Sequence, residues 1–321
     1  MSPLKLLLGR PEISVVIGAA LLVAFFSVGT HGAWLHSVPS VLRITAQVGI
    51  VTIGQALLMT SGEVDLSVGS TFAFAGVVFL TLLDANGFSI FPAMIASLLL
   101  VMGIGFVNGL LTTRFRVPSM IVTMGAMFIL RGLTYLATKG SSLSIPRPLR
   151  HDPLVMVLKT KMFGINVTVF ILLVLTVLFV FVLAKTRFGS HVAAVGGNPD
   201  AALANGVSPA SVKTRAFIMC TALAGLSGIL VTCQEGAIYS TSGMRMELES
   251  IAAAVIGGCT LRGGIGSIWG PVVGVFVLSS LKGGLMMMGA PTSWYIAFVG
   301  AILVGFLVVS HLIDRRLRPV S

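Results

Sequence analysis

The chain has 321 residues, of which 56% are hydrophobic and 10% carry a charge, about half the charged share that a soluble domain of this size keeps on its surface. Its net charge of +11 is spread as single and paired basic residues at the ends of apolar stretches, with no aromatic-flanked basic stripe, which argues for membrane topology and against a nucleic-acid partner. Cys220, Cys233 and Cys259 have neither an even count nor metal-ligand spacing, which argues against a disulfide framework and a zinc site.

A bilayer core about 30 Å thick requires roughly 20 apolar residues per helical span. The first apolar stretch, 13–30, follows Lys5 and Arg10 as a signal peptide would. However, His31 stands where a cleavage pattern needs a small residue before Ala33, so the stretch reads as an uncleaved first span. Further stretches at 44–59, 68–83, 91–111, 120–137, 165–183, 216–232, 248–259, 268–281 and 294–309 bring the count to about ten. Several are short or interrupted, at Gly62, Gly69, Gly257, Gly258 and Gly263. Non-helical backbone at membrane depth is tolerated only where protein or a water-filled cavity surrounds it, so broken helices around a pathway are expected. The fold class is therefore all-α, a single polytopic transmembrane domain over 1–321 with some short or broken helices.

Ten spans put both termini on one side. A cytoplasmic placement leaves Lys5, Arg10, Arg114, Arg116, Lys185, Arg187, Lys213, Arg215, Arg262, Arg315, Arg316 and Arg318 inside, as the positive-inside rule requires. Lys139, Arg147, Arg150, Lys159 and Lys161 then fall in the longest external loop, against that rule. An internal echo links Ser61-Gly-Glu-Val-Asp-Leu-Ser-Val-Gly69 with Met246-Glu-Leu-Glu-Ser-Ile-Ala-Ala-Ala254. Each opens a small-residue helix with an acidic-x-acidic pair, by repetition of two halves or by chance.

A carboxylate at membrane depth is costly unless it faces a cavity or a partner. Glu63, Asp65, Glu247 and Glu249, with Ser67 and Ser70, are thus candidates either for a translocation pathway or for helix capping. Asp65 and Ser67 precede the helix expected from about Val68, where side-chain oxygens can satisfy free N–H groups. Gly105 and Gly109, and Gly266, Gly270 and Gly274, form G-x-x-x-G steps that let helices approach closely. The run 264–270 is not a dinucleotide loop, since its third glycine comes one residue late and no strand precedes it. No Gly is followed by Lys, so the phosphate-cradling loop of an ATPase is absent. His31, His36, His151, His191 and His311 do not group with acids or cysteines, which leaves a membrane enzyme without support.

Between the sixth and seventh stretches, 191–213 reads as two short helices. Asn198 caps the first with Pro199 at its first position, the run ends near Asn205-Gly206, and Ser208-Pro209 restarts the pattern. This knuckle is either an ordinary helical loop or a lever docking in a cytoplasmic partner.

Three blocks carry a family resemblance: Thr60-Ser-Gly-Glu-Val-Asp-Leu-Ser-Val-Gly-Ser70, Ala194-Val-Gly-Gly-Asn198, and Glu247-Leu-Glu-Ser-Ile-Ala-Ala-Ala-Val-Ile-Gly-Gly258 followed by Gly263-Gly-Ile-Gly266. From about the second apolar stretch to the last, the chain resembles the ribose-type sugar permeases of bacterial ATP-binding cassette (ABC) importers. The resemblance implies a BtuC-like type II importer permease architecture in the bacterial inner membrane and a dimer with a second copy or a homologous permease. It also implies a separate cytoplasmic subunit that binds ATP and Mg, no cofactor in this chain, and a periplasmic solute-binding protein that delivers a monosaccharide or related small polar solute. The segment from about 186 to 214 becomes the coupling segment, with Asn198, Pro199, Asp200, Ala201, Ala202, Gly206, Val207 and Ser208 facing the ATPase. Glu249 departs from the family, where Asp is common, and Glu63 from a frequent Gly. The external Arg147 or Arg150 becomes a docking point for acidic residues of the binding protein. The alternatives are an ion-coupled secondary transporter using Asp65 and Glu249, or a family member for a non-sugar solute such as a nucleoside or signalling molecule.

Overall fold

The structure is a computed structural model that describes residues 11–85, 87–291, 293–301 and 304–305. Lys5, Arg10, His311, Arg315, Arg316, Arg318 and the end of the last predicted stretch lie outside the described residues. The described chain is nearly all helical. In order it forms α1 (Pro11–Gly29), α2 (Ala33–Thr60), α3 (Val68–Ala85), α4 (Ile90–Arg114), α5 (Ser119–Thr138), β1 (Ser142–Ser144), a 3-10 turn (Arg147–His151) and α6 (Pro153–Lys159). There follow β2 (Lys161–Met162), β3 (Ile165–Asn166), α7 (Val167–Lys185), α8 (Arg187–Gly197), α9 (Pro199–Ala204), α10 (Pro209–Glu235), β4 (Ala237–Tyr239), α11 (Met246–Ile256) and α12 (Trp269–Met287).

Two helices make the axis of the bundle. In α2 every residue over 48–60 is buried, and α10 is buried along most of its length, packed on α4, α3 and α2. Small residues bring them together. A Cβ on Gly105 would meet Ile218 Cα at 2.9 Å, and one on Gly109 would meet Thr214 Cα at 2.8 Å, so the first G-x-x-x-G step seats α4 on α10. In the second series, Gly270 and Gly274 of α12 lie against Gly257 and Ala253 of α11 and its end. By contrast α4, α5 and α7 present broad apolar faces outward, among them Phe106, Phe128 and Phe181, as expected of surfaces whose solvent is lipid.

Among the described residues six helices are long and apolar enough to cross a bilayer: α2, α4, α5, α7, α10 and α12. Two shorter apolar helices, Val15–Gly29 and Val68–Asp84, accompany them. α11, at 11 residues, is only about 16 Å long at 1.5 Å per residue and cannot cross a 30 Å core alone.

Three features of the fold go beyond the sequence pattern. The second apolar stretch, expected at 44–59, is part of a longer helix: α2 starts at Ala33 and runs through Pro39 for 28 residues. Proline is tolerated in membrane helices where neighbouring groups take up the freed carbonyl. The longest loop between helices carries structure of its own. β1 pairs antiparallel with β4 in the register Ser142↔Tyr239, Leu143↔Ile238, Ser144↔Ala237, and β2 and β3 form a hairpin turned at Phe163 and Gly164, both at positive φ. The chain therefore departs from all-α by two small two-stranded sheets. Finally, the helix that restarts at Ser208 is no short piece. Capped by Ser208 and opened by Pro209, it continues for 27 residues to Glu235, because Lys213 and Arg215 break the apolar pattern without breaking the backbone.

Candidate functional site

α3 and α11 begin at one place inside the bundle. Gly69, in the first turn of α3, lies against Gly243, so that a Cβ on Gly243 would strike the Gly69 carbonyl, and Glu247 Oε2 lies beside Gly69 as well. A carboxylate is thus tucked against the positive end of a helix dipole, and Glu247 and Glu249 occupy the first turn of α11 itself. From α5, Arg131 reaches in: its Nη1 donates to the carbonyls of Ser242, at 2.8 Å, and Ser240, at 3.4 Å, and its charge attracts Glu247. Glu249 faces Lys282 Nζ at 3.9 Å, which also stands 5.2 Å over the ring of Tyr295.

Before α3 the chain is clasped rather than helical. Asp65 is fully buried, and its Oδ1 accepts from Ser67 N and Ser67 Oγ, both at 2.6 Å, which closes a turn directly onto α3. The Gln55 amide of α2, oriented to satisfy both groups, donates to Asp65 O and accepts from Asp65 N, each at 3.2 Å. Asn108 of α4 donates to Ser67 Oγ at 3.4 Å, and Leu66 N donates to Thr123 Oγ1 of α5 at 3.1 Å. Asp65 Oδ2, Ser70 Oγ, Thr71 Oγ1 and Glu247 Oε2 are buried with no hydrogen-bond partner among the described residues. Glu63 stands apart from this seam, in a 2.6 Å ion pair with Lys213 in the second turn of α10. It ties the turn after α2 to the helix that leaves the knuckle.

The knuckle is built from caps. Thr186 caps α8 by accepting from Gly189 N at 3.2 Å. Asn198 Oδ1 caps α9 by accepting from Asp200 N and Ala201 N at 3.1 and 3.0 Å. At the other end Gly206, at φ 80°, closes a Schellman motif in which Gly206 N donates to Leu203 O and Val207 N to Ala202 O. Within the six-residue α9 only Ala202 is buried, and Leu203 is 59% exposed. Asn198, Pro199, Asp200, Ala201, Gly206 and Ser208 are exposed as well, with Val207 half-buried.

Behind this surface three segments interlock through their backbones. A Cβ on Gly196 would strike the carbonyl of Thr60, at the end of α2, and would stand 2.5 Å from Gly264 N. Gly264 N in turn donates to Thr60 O at 2.9 Å. Gly263, at φ 83°, leaves no room for a side chain against Gly62, and Thr260 Oγ1 donates to its carbonyl at 2.9 Å. The knuckle, the end of α2 and the turn from α11 to α12 therefore meet without intervening side chains. At the opposite end of the bundle Arg43 pairs with Glu235 at 3.3 Å. There Arg147 is exposed, while Arg150 donates from Nε to Ile145 O at 3.1 Å and leaves the rest of its guanidinium outward.

Sequence reasoning missed Arg131, Gln55 and Lys282. The signal for Arg131 was present, since a charge well inside a 20-residue apolar helix is a functional-site flag by itself. Gln55 carries no such signal until the fold brings Asp65 beside it. Among the described residues no group of three or more His, Cys, Asp or Glu is placed to hold a metal ion, and Cys220, Cys233 and Cys259 are free and buried.

Comparisons with known proteins bear on what this arrangement serves. The family model described as branched-chain amino acid transport system / permease component matches residues 37–307. The chain is 31% identical to the xylose transport system permease protein XylH of Haemophilus influenzae, over 90% of this chain and 93% of the relative. It is 32% identical to the autoinducer 2 import system permease protein LsrC of Photorhabdus luminescens, over 98% and 93%. To the L-arabinose ABC transporter permease protein AraH of Azospirillum brasilense it is 31% identical, over 84% and 78%. No solved structure matches the chain.

Proposed function

The chain belongs to the branched-chain amino acid transport system / permease component family, and from that premise we propose that it is the membrane-spanning permease subunit of an ATP-driven importer for a small polar solute. Relatives named for xylose, L-arabinose and autoinducer 2 favour a monosaccharide or a comparable hydroxyl-rich molecule. The permease supplies a path and a lever and performs no covalent chemistry. Energy comes from a separate cytoplasmic subunit that binds ATP and Mg.

The observation that carries this reading is the junction of Thr60, Gly196 and Gly263 behind an exposed, doubly capped α9. Force applied to Asn198, Pro199, Asp200, Ala201, Ala202, Gly206, Val207 or Ser208 passes through α8 to the ends of α2 and α12 with no soft side chains to absorb it. The segment 186–214 is then the coupling segment. The seam where α3 and α11 begin is the path: Asp65, Ser67, Ser70, Glu247 and Glu249 line or cap it, and the buried oxygens without protein partners suit a solute that carries many hydroxyls. Glu63, held by Lys213, links path to lever.

The assembly pairs this domain, 1–321, with a second copy or a homologous permease in the BtuC-like type II arrangement, with about ten spans per subunit and both termini in the cytoplasm. A periplasmic solute-binding protein docks at the opposite end, where Arg147 and the outward part of Arg150 meet its acidic residues. Exposed pairs contribute only about 1 kcal/mol each, so charge reversal there weakens stimulation of ATPase activity in a salt-dependent way and leaves folding intact.

The test is uptake of labelled xylose and arabinose into vesicles holding the full assembly, with the proton gradient collapsed. ATP-dependent uptake of at least one sugar is the expected result. Uptake that needs the gradient and proceeds without ATP contradicts the proposal.

A further inference from the structure

We propose that the groove between the end of α4 and the start of α10 binds the head group of an anionic phospholipid. The groove has a volume of about 530 Å³ and is lined by Arg114, Arg116 and Arg215 together with Phe106, Leu110 and Ile218. All three arginines are exposed. None of the three takes part in the ion pairs Arg43–Glu235, Lys213–Glu63 and Lys282–Glu249. Among the described residues no carboxylate lines the groove. Arg116 is also held at φ 56°, a left-handed conformation that costs a non-glycine residue about 1 kcal/mol. A backbone cost at a residue that lines a groove is the kind of outlier that points to a function.

The occupant must satisfy both ends of the groove. Arg114 is the last residue of a helix long enough to cross a bilayer, so its guanidinium stands at head-group depth. From there the apolar wall continues along the outward face of α4 through Leu110, Phe106 and Leu99, which are 38%, 49% and 62% exposed. These recur at intervals of four and seven residues and so form one stripe down the helix. A soluble phosphate would use the cations and ignore the stripe. An acyl chain lying on Phe106 and Leu99 with its phosphodiester among three arginines uses both, and basic pockets between membrane helices are suited to such head groups. The hydroxyl group of Ser211, on the α10 side of the groove, adds a donor for a remaining phosphate oxygen.

The experiment is lipid retention by the full chain, purified in detergent doped with equal mole fractions of phosphatidylglycerol and phosphatidylcholine and read by native mass spectrometry. Phosphatidylglycerol is expected to be retained at least about fivefold over phosphatidylcholine. The preference should vanish in the R114Q/R116Q/R215Q variant and persist in R114K/R116K/R215K, which keeps the charge and shows that the substituted chain folds. Equal retention of the two lipids, or an unchanged preference in the glutamine variant, overturns the proposal. So does full displacement by millimolar inorganic phosphate, which would make this a free-anion site. Loss of the ATPase subunit from the glutamine variant with lipid retention unchanged would assign the arginines to that subunit and equally overturn it.

Discussion

The junction behind the knuckle and the seam at the starts of α3 and α11 are built from opposite materials. At the junction, backbone touches backbone at Thr60, Gly196, Gly263 and Gly264, and the one side chain among them, Thr60, is held by its hydrogen bond to Ala56 O. At the seam, Asp65, Arg131, Glu247 and Glu249 bring ionisable side chains into the helix bundle, and several oxygens there have no partner among the described residues. A contact without side chains transmits displacement; a contact rich in side chains can exchange one set of hydrogen bonds for another. This contrast supports the proposed division into lever and path, and each side of it can be broken separately.

The largest effect is expected at the junction. Gly196→Ala puts a Cβ against the Thr60 carbonyl and Gly264 N, and since both obstacles are backbone the strain should reach about 3 kcal/mol. Gly125→Ala, on the outward-facing α5, meets nothing within 4 Å and should be neutral or slightly stabilising. Urea or thermal unfolding in detergent compares the two; equal stabilities would mean that the junction is looser than described. At the seam, Arg131→Gln removes the guanidinium that holds the Ser240 and Ser242 carbonyls and leaves Glu247 without its counter-charge. Hydrogen bonds from charged groups contribute about 1.5–3 kcal/mol, so uptake should fall at least tenfold, and R131Q/E247Q should recover part of it. If the double variant is worse than the single one, the two charges do not act as a pair. The smallest effect is expected at Asn198→Ala, which removes one cap and costs about 1 kcal/mol within α9. Global unfolding should not change, while ATPase stimulation should. A shift of global stability instead would mean that α9 is part of the core.

What the sequence made legible were features decided by neighbours in the chain. The caps at Asn198 and Ser208 and the stop at Gly206 depend on three or four adjacent residues, and the structure forms all three. Apolar length located the long spans for the same reason. The rest depends on distant residues. Thr60, Gly196 and Gly263 are far apart in the chain, so the glycine motifs announced close approach without saying to what. β1 and β4 pair across nearly a hundred residues, and neither strand is long enough to show an alternating pattern. Hydropathy averaging also hid single charges. Arg131 disappeared into an apolar stretch, and Lys213 and Arg215 made the start of α10 resemble a loop, although a well-capped helix carries such residues easily.

The central claim is that α9 receives force from a separate ATPase. It is tested most directly by placing a photo-crosslinking residue at Leu203, exposed on α9, and in parallel at Phe163, exposed in the hairpin turn at the other end, in the assembled transporter in native membranes. The account predicts a crosslink from position 203 to the ATP-binding subunit and none to it from position 163. A chain that crosslinks to no ATP-binding subunit from 203, or does so from 163, contradicts it.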